Sequence, residues 1–272
     1  MVDPNIGKIV GQYTFIKKIQ TCKIGAIYLA RSTDIPTFHV AIKMIPKSTL
    51  PEDIKYYEGE AGLMKIMKTL KHPNLLEGIT QCESKQNNYY FVYEHCEGNS
   101  LVELSKANIA YQEAIGYIKD ICSGYYYLHI MGFMHRDINP SHILFKKGDG
   151  KYIAKIGDYG SVKNMGPKII DELASSRIGM ATYMSPELLN GGSYTYKTDM
   201  FSIGLIAYEL IYKKPAFNFT SEVALFNEYK NGNITFNINI PPACNDFILR
   251  LLQFDPEKRM SIEECIAHSL IK

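Results

Sequence analysis

The segment HRDINPSH, residues 135–142, places the carboxylate of Asp137 next to a guanidinium and five residues before His142. Three other short segments accompany it in a fixed order. VAIK lies upstream at residues 40–43, and DYG at 158–160 and SPE at 185–187 follow downstream. Each segment alone is weak evidence, because short motifs recur by chance. Their order along one chain indicates the fold.

This ordered set resembles the signature motifs of the eukaryotic protein kinases, in particular the Ser/Thr type. The resemblance extends from about Tyr13 to Lys272, because Asp199 and Arg259 also fall where that family places them. It implies an α+β, bilobal protein-kinase domain over residues 13–272. Residues 13–95 would form a small β-rich lobe with one helix, and residues 96–272 a larger helical lobe.

The hydrophobic pattern divides the chain in the same way. Apolar, β-branched and aromatic residues predict strands over residues 13–19, 24–30, 40–45 and 89–94, and three-to-four spacing predicts a helix from about Pro51 to Leu70. After Gly98 the spacing becomes helical. Helices are predicted over residues 115–129, 198–213, 247–252 and 262–271.

The composition excludes several classes of protein. With 272 residues, 46% apolar and 21% charged, the chain can bury a sizeable core. A net charge of +2 gives no electrostatic footprint for nucleic acid or an acidic membrane surface. Because Asp3 and Pro4 interrupt the apolar stretch that a signal peptide needs, we expect an intracellular, cytoplasmic protein.

The resemblance assigns the chemistry to a few side chains. Asp137 would orient the substrate hydroxyl and accept its proton, Lys43 would bind the α- and β-phosphates of ATP, and Asp158 would chelate Mg²⁺. Arg136 would pair with a phosphate on the activation segment, residues 158–187, where Ser175 and Ser176 are the candidate acceptors. The alternative for Lys43 is a solvated strand lysine, and the alternative for Asp158 is a turn aspartate. Ser175 and Ser176 could equally be ordinary loop serines.

The same resemblance implies a nucleotide pocket and a structural ion pair. Gly25 would lie in the phosphate loop, and Glu94 and Cys96 would offer backbone groups to the adenine. The residues that would enclose the base are Ile27, Ala41 and Leu144, with Tyr93 behind it. Each of these apolar residues is equally consistent with ordinary core. Glu187 and Arg259 would form a buried carboxylate–guanidinium pair.

Several residues depart from the family pattern. Gln20 and Cys22 stand where the phosphate loop normally has glycines. His142 replaces a metal-binding asparagine, and its imidazole suits Mn²⁺ better than Mg²⁺. Asn139 replaces a lysine, and Met180 replaces a threonine whose hydroxyl bonds into the catalytic loop.

Two further departures concern the supporting structure. A glutamate on the helix of the small lobe would normally pair with Lys43. Counting without gaps places Leu63 there, whereas Glu60, one turn earlier, lies close to the same face. Phe201 stands where the family has tryptophan, and the chain has no tryptophan at all.

We therefore predict a protein kinase that uses ATP and Mg²⁺, with Mn²⁺ as the alternative metal, to phosphorylate Ser or Thr hydroxyls of a protein substrate. Control by an activating protein or an upstream kinase is expected, because the kinase motifs occupy nearly all of the sequence. The alternative is a pseudokinase, acting as a scaffold or allosteric adaptor, because five residues of the phosphate loop, the catalytic loop and the activation segment depart from the pattern together.

Overall fold

The computed structural model describes residues 3–22, 25–49, 68, 70–83, 88–104, 109–165 and 179–272. Within it the chain divides into two compact units, the first ending at Glu97 and the second beginning at Gly98. Nearly all of the predicted helix over residues 51–70, and with it Glu60, lies outside the described residues, as do Ser175 and Ser176.

In the first unit the described strands form an antiparallel sheet in the order β1-β2-β3-β4-β6-β5. The strands are β1 (Ile9–Val10), β2 (Tyr13–Thr21), β3 (Ala26–Ser32), β4 (His39–Pro46), β5 (Gly78–Glu83) and β6 (Asn88–Glu94). Because side chains alternate across a strand, Tyr28 and its cross-strand partner Ile42 point into the core on one face. The ring of Phe15 stacks on Tyr28 there, with centroids 4.6 Å apart.

The second unit is mainly helical, and its described strands are β7 (Phe133–Met134), β8 (Ile143–Lys147), β9 (Tyr152–Ile156) and β10 (Lys163–Asn164). Its described helices are α1 (Leu101–Leu104), α2 (Tyr111–Ile130), α3 (Pro186–Leu189), α4 (Lys197–Tyr212), α5 (Glu222–Asn231), α6 (Pro242–Leu251) and α7 (Ile262–Ala267). Helix α4 is apolar on nearly every side, and it is buried because α2 and α6 pack against it. None of the helices in the described ranges is long and apolar enough to cross a membrane.

The predicted α+β fold, with strands first and helices after, is confirmed. Several predicted boundaries are wrong, since α2 begins at Tyr111, α6 begins at Pro242, and α7 ends at Ala267 instead of continuing to Ile271. His268 is extended at that point. Its Nδ1 accepts a bond from the backbone N–H of Leu270 and its Nε2 lies 2.9 Å from Asp246, so the side chain stabilises a non-helical end.

A buried ion pair joins two parts of the second unit that are far apart in sequence. Both oxygens of Glu187 bind Arg259, at 2.7 Å and 2.9 Å, and the Arg259 side chain is fully buried. Its remaining donors bind the backbone oxygens of Gln253, Lys197 and Phe254. The ring of Phe201 lies 4.9 Å from the guanidinium carbon, so phenylalanine provides an aromatic face for the cation.

Replacing Arg259 with methionine should destabilise the protein strongly, because it leaves the Glu187 carboxylate buried without its cation. We expect a loss of about 3–5 kcal/mol in the free energy of unfolding, measured by urea titration. Arg250→Met is the control, because Arg250 pairs with Glu264 on the surface and should change stability by only about 0.5 kcal/mol. Equal losses in the two variants would contradict this assignment.

Candidate active site

A β-hairpin brings His142 and Asp158 together. Strand β8 (Ile143–Lys147) pairs with β9 (Tyr152–Ile156) so that Ile143 lies opposite Ile156. His142 directly precedes the first strand and Asp158 follows the second, and the N–H of Gly157 donates to the carbonyl of His142 at 2.8 Å. As a result Nε2 of His142 lies 3.4 Å from Oδ2 of Asp158.

The segment that carries Asp137 is anchored to helix α4 by one carboxylate. Arg136 has a φ of +69°, which a non-glycine residue adopts only when its surroundings hold it there. The backbone N–H groups of His135 and Arg136 each donate to Asp199 at 2.8 Å, and the hydroxyl of Tyr125 donates at 2.9 Å. Burial raises the pKa of Asp199 to about 6, while these three donors favour its ionised form.

His135 lies beneath this segment and is completely buried. Its Nε2 lies 3.0 Å from the carbonyl of Gly157, and its Nδ1 accepts the N–H of Asp137. These two contacts define the neutral tautomer with the proton on Nε2. Burial, reinforced by His142, lowers the pKa of His135 to about 4, so the ring supports the loop in its neutral form.

Asp137 is held by several donors. Its Oδ1 accepts from the Asn139 side chain at 2.8 Å and from the backbone N–H of Met180 at 3.3 Å. Its Oδ2 lies 3.5 Å from Nδ1 of His142. About a fifth of the Asp137 side chain is exposed, so a substrate hydroxyl can reach it.

The chemistry of His142 and Asp158 fits a divalent cation. Nδ1 of His142 lies 2.9 Å from the carbonyl oxygen of Asp137 and 3.0 Å from Nδ2 of Asn139. In the neutral tautomer with the proton on Nδ1, the lone pair of Nε2 faces a carboxylate oxygen, an arrangement that a cation stabilises. Within the described residues no three His, Cys, Asp or Glu side chains form a complete metal cage.

Three of the predicted nucleotide residues share one face of the first unit's sheet. Lys43 lies opposite Ile27 on β3, and Ala41 lies opposite Leu29, so these side chains point away from the core face. Ile27 and Ala41 are half-buried and Lys43 is buried. On β6, Phe91 and Tyr93 lie opposite Lys43 and Ala41 on this same face.

The remaining predicted nucleotide residues lie in different settings. Glu94 ends β6 and its carboxylate accepts the N–H of Glu77, while Cys96 follows that strand and is half-buried. Gly25 has a φ of +89°, and a Cβ there would lie 1.9 Å from the carbonyl oxygen of Met44, so glycine is required by backbone packing. Leu144 lies in the second unit on β8, opposite Lys155.

Arg136 and a cavity lined by Pro140 are further features of the second unit. Nε of Arg136 donates to the carbonyl of Ser161 at 2.6 Å, so this side chain reaches the start of the predicted activation segment. A cavity of about 280 Å³ is bordered by Pro140, three residues after Asp137. At its polar side the Tyr183 hydroxyl donates to both oxygens of Glu209, whose pKa is raised by burial.

Comparison with known proteins agrees with this geometry. Residues 13–271 match the model of the protein kinase domain family. The chain belongs to the protein kinase family. The family membership predicted from the motifs is therefore confirmed.

Named relatives are protein kinases, and two of the following three are named as Ser/Thr kinases. The kinase domain is 31% identical over 268 residues to Serine/threonine-protein kinase atg1 of Dictyostelium discoideum, covering 96% of this chain and 39% of the relative. It is 27% identical over 315 residues to Serine/threonine-protein kinase ATG1 of Saccharomyces cerevisiae, covering 99% and 35%. It is 30% identical over 254 residues to Aurora/IPL1-related protein kinase 2 of Caenorhabditis elegans, covering 92% and 79%. The chain thus spans well under half the length of the two atg1 relatives.

Two contacts of the site were not predicted from the sequence. One is the bond from Asn139 to Asp137, and the other is the pair of Tyr183 and Glu209. Asparagine directly before a proline is typical of a capping position, so the buried turn at Asn139 could have been recognised. No comparable local signal joins Tyr183 to Glu209, because they are 26 residues apart.

The pH dependence of stability tests the buried neutral state of His135. An unfolded histidine takes up a proton near pH 6.5, whereas folded His135 does so only near pH 4. Wild type should therefore lose stability relative to His135→Gln as the pH falls from 6.5 to 4, by up to about 1.4 kcal/mol per pH unit. Above pH 6.5 the difference between the two should be constant. Parallel curves in urea titrations from pH 4 to 8 would contradict the assignment.

Proposed function

We propose that this kinase domain transfers the γ-phosphoryl group of ATP to Ser or Thr hydroxyls of a protein substrate. The observation that supports this best is the grouping of Asp137, His142 and Asp158 on one anchored loop and hairpin. Phosphoryl transfer needs positioned charge more than covalent participation by the protein, so a small set of well-held carboxylates and cations is sufficient.

Each residue of the site has a distinct role in this proposal. Asp137 orients the substrate hydroxyl and accepts its proton. Lys43, on the sheet face shared with Ile27 and Ala41, contributes positive charge to the α- and β-phosphates. Gly25, Glu94, Cys96 and Leu144 are the other proposed nucleotide contacts, and Arg136 binds a phosphorylated activation segment.

Asp158 and His142 would hold the metal ion. Such an ion would supply positive charge that neutralises the charge developing on the phosphate oxygens. Carboxylate oxygen is a good ligand for Mg²⁺, whereas imidazole nitrogen favours Mn²⁺. We therefore propose that Mn²⁺ supports activity at least as well as Mg²⁺.

The cavity beside Pro140 supports a polypeptide substrate. Its walls combine apolar and charged side chains, the apolar ones from Leu101, Val102, Ile109, Leu210 and Pro215 and the charged ones from Glu209, Lys213 and Lys214. The cavity lies in the same unit as Asp137, and its lining residue Pro140 is three residues further along the chain. A side chain neighbouring the phosphorylated residue can bind there, which a small-molecule acceptor would not require.

The domain limits and biological setting belong to the same proposal. Residues 13–272 form the kinase domain, with residues 13–95 and 96–272 as its lobes. An activating protein or an upstream kinase acts on the activation segment, at Ser175 or Ser176, and the protein works inside the cell, in the cytoplasm. Glu60 is the proposed partner of Lys43.

A pseudokinase is the second candidate function. It is favoured by one observation, that the asparagine and lysine of the family's catalytic loop are replaced by His142 and Asn139 while Gln20 and Cys22 alter the phosphate loop. A scaffold of this kind needs nucleotide binding at most. Catalysis by Asp137 would then be absent.

A phosphotransfer assay separates the two candidates. The purified chain is incubated with γ-³²P-labelled ATP, with Mg²⁺ or Mn²⁺, and with casein or myelin basic protein. Asp137→Asn and Asp158→Asn should each lower incorporation by about 10²-fold or more. Asp149→Asn makes the same charge change on an exposed turn and should leave incorporation unchanged. Incorporation that is absent with both metals, or that survives Asp137→Asn, would contradict the proposed activity.

Replacing His142 with asparagine tests the metal assignment. The variant restores an amide oxygen, so the ratio of activity with Mg²⁺ to activity with Mn²⁺ should rise by roughly tenfold. Binding of Mn²⁺ in the presence of a non-hydrolysable ATP analogue, followed by electron paramagnetic resonance, should weaken in parallel. An unchanged Mn²⁺ affinity would show that His142 is not a ligand.

A further inference from the structure

The side-chain amide of Asn139 has a fixed orientation. Asn139 is buried and caps the short turn Pro140–His142, where its Oδ1 accepts the backbone N–H of Ser141 at 2.9 Å and the Ser141 hydroxyl. A backbone N–H can only donate, so the atom that faces it must be the amide oxygen. The NH₂ group of Asn139 must then point in the opposite direction.

That NH₂ group faces the carboxylate of Asp137. Nδ2 of Asn139 lies 2.8 Å from Oδ1 of Asp137, the length expected for a hydrogen bond to an ionised acceptor. The backbone N–H of Met180 donates to the same oxygen at 3.3 Å. Gly179 permits this second approach, because its φ is +109° and a Cβ there would lie 3.1 Å from Oδ1. One oxygen of Asp137 is therefore held by two donors from separate segments.

We propose that Asn139 is a positioning residue for Asp137. Together with the Met180 backbone it holds Oδ1 and thereby fixes the direction in which Oδ2 meets the substrate hydroxyl. This rests on the proposed function, since it takes Asp137 as the group that accepts the substrate proton. Asn139 acts through Asp137 and needs no contact with the substrate. Asn139 and Met180 both replace residues that support catalysis in the family. Each nevertheless supplies a hydrogen-bond donor to Asp137.

Matched variants separate this role from the capping role. Asn139→Asp keeps an oxygen for Ser141 but places a second carboxylate oxygen where the NH₂ group faced Asp137. Asn139→Lys returns a donor to the position. Asn245→Asp is the control, because it makes the same charge change on α6, where Asn245 accepts from the Tyr212 hydroxyl.

Kinetics give the first readout. Asn139→Asp should lower kcat by about 10²-fold without changing the KM for ATP, since a misplaced catalytic group slows the chemical step and leaves nucleotide binding intact. Asn139→Lys should retain more of kcat than Asn139→Asp, and Asn245→Asp should match wild type. A fall in kcat accompanied by equal losses in ATP binding and melting temperature would reduce Asn139 to a structural role and overturn the proposal.

The amide proton of Met180 gives a second readout that does not depend on activity. In ¹⁵N-labelled protein its chemical shift should move upfield in Asn139→Asp, because a displaced Asp137 no longer accepts from it, and it should stay unchanged in Asn245→Asp. A Met180 signal that is the same in wild type and Asn139→Asp overturns the proposal. If wild type transfers no phosphate, the proposed function fails, while this signal still decides whether Asn139 holds Asp137.

Discussion

The carboxylate of Asp199 is the interaction on which the candidate site depends. It is buried on helix α4 and accepts two consecutive backbone N–H groups from the loop that carries Asp137. A carboxylate in this setting is stabilised only while its donors stay in place, so loop and helix fix each other. The left-handed backbone of Arg136 is maintained in this way. The register of the β8–β9 hairpin then places His142 and Asp158 next to the same loop.

The fold was predictable because its signals are local and repeated. Apolar, β-branched and aromatic residues predicted β2, β3, β4 and β6, and the apolar helical sequence over residues 198–213 predicted α4. Strand β5 was missed, since Gly78 and three polar residues of its sequence weaken the pattern. The end of α7 was misjudged because the tertiary contact of His268 with Asp246 competes with the helix. Such long-range contacts leave no trace in local periodicity.

The candidate site was predictable in its residues but not in their mutual contacts. Motif order gave Asp137, His142 and Asp158, and the hairpin explains why they meet. Residue identities alone predict a weakened catalytic loop, because Asn139 replaces the family's lysine and Met180 replaces its threonine. Their donors nevertheless converge on one oxygen of Asp137. The function of a divergent loop therefore depends on which atoms its donors bind. Residue identity alone does not reveal those partners.

A crystal structure of this kinase domain with a non-hydrolysable ATP analogue and Mn²⁺ tests the central claim most directly. The account predicts an anomalous difference peak for Mn²⁺ bonded to both His142 Nε2 and Asp158 Oδ2 and to phosphate oxygens of the analogue, with Asp137 still bound by Asn139. A metal ion that binds Asp158 with His142 turned away, or crystals in which no nucleotide binds, would contradict it.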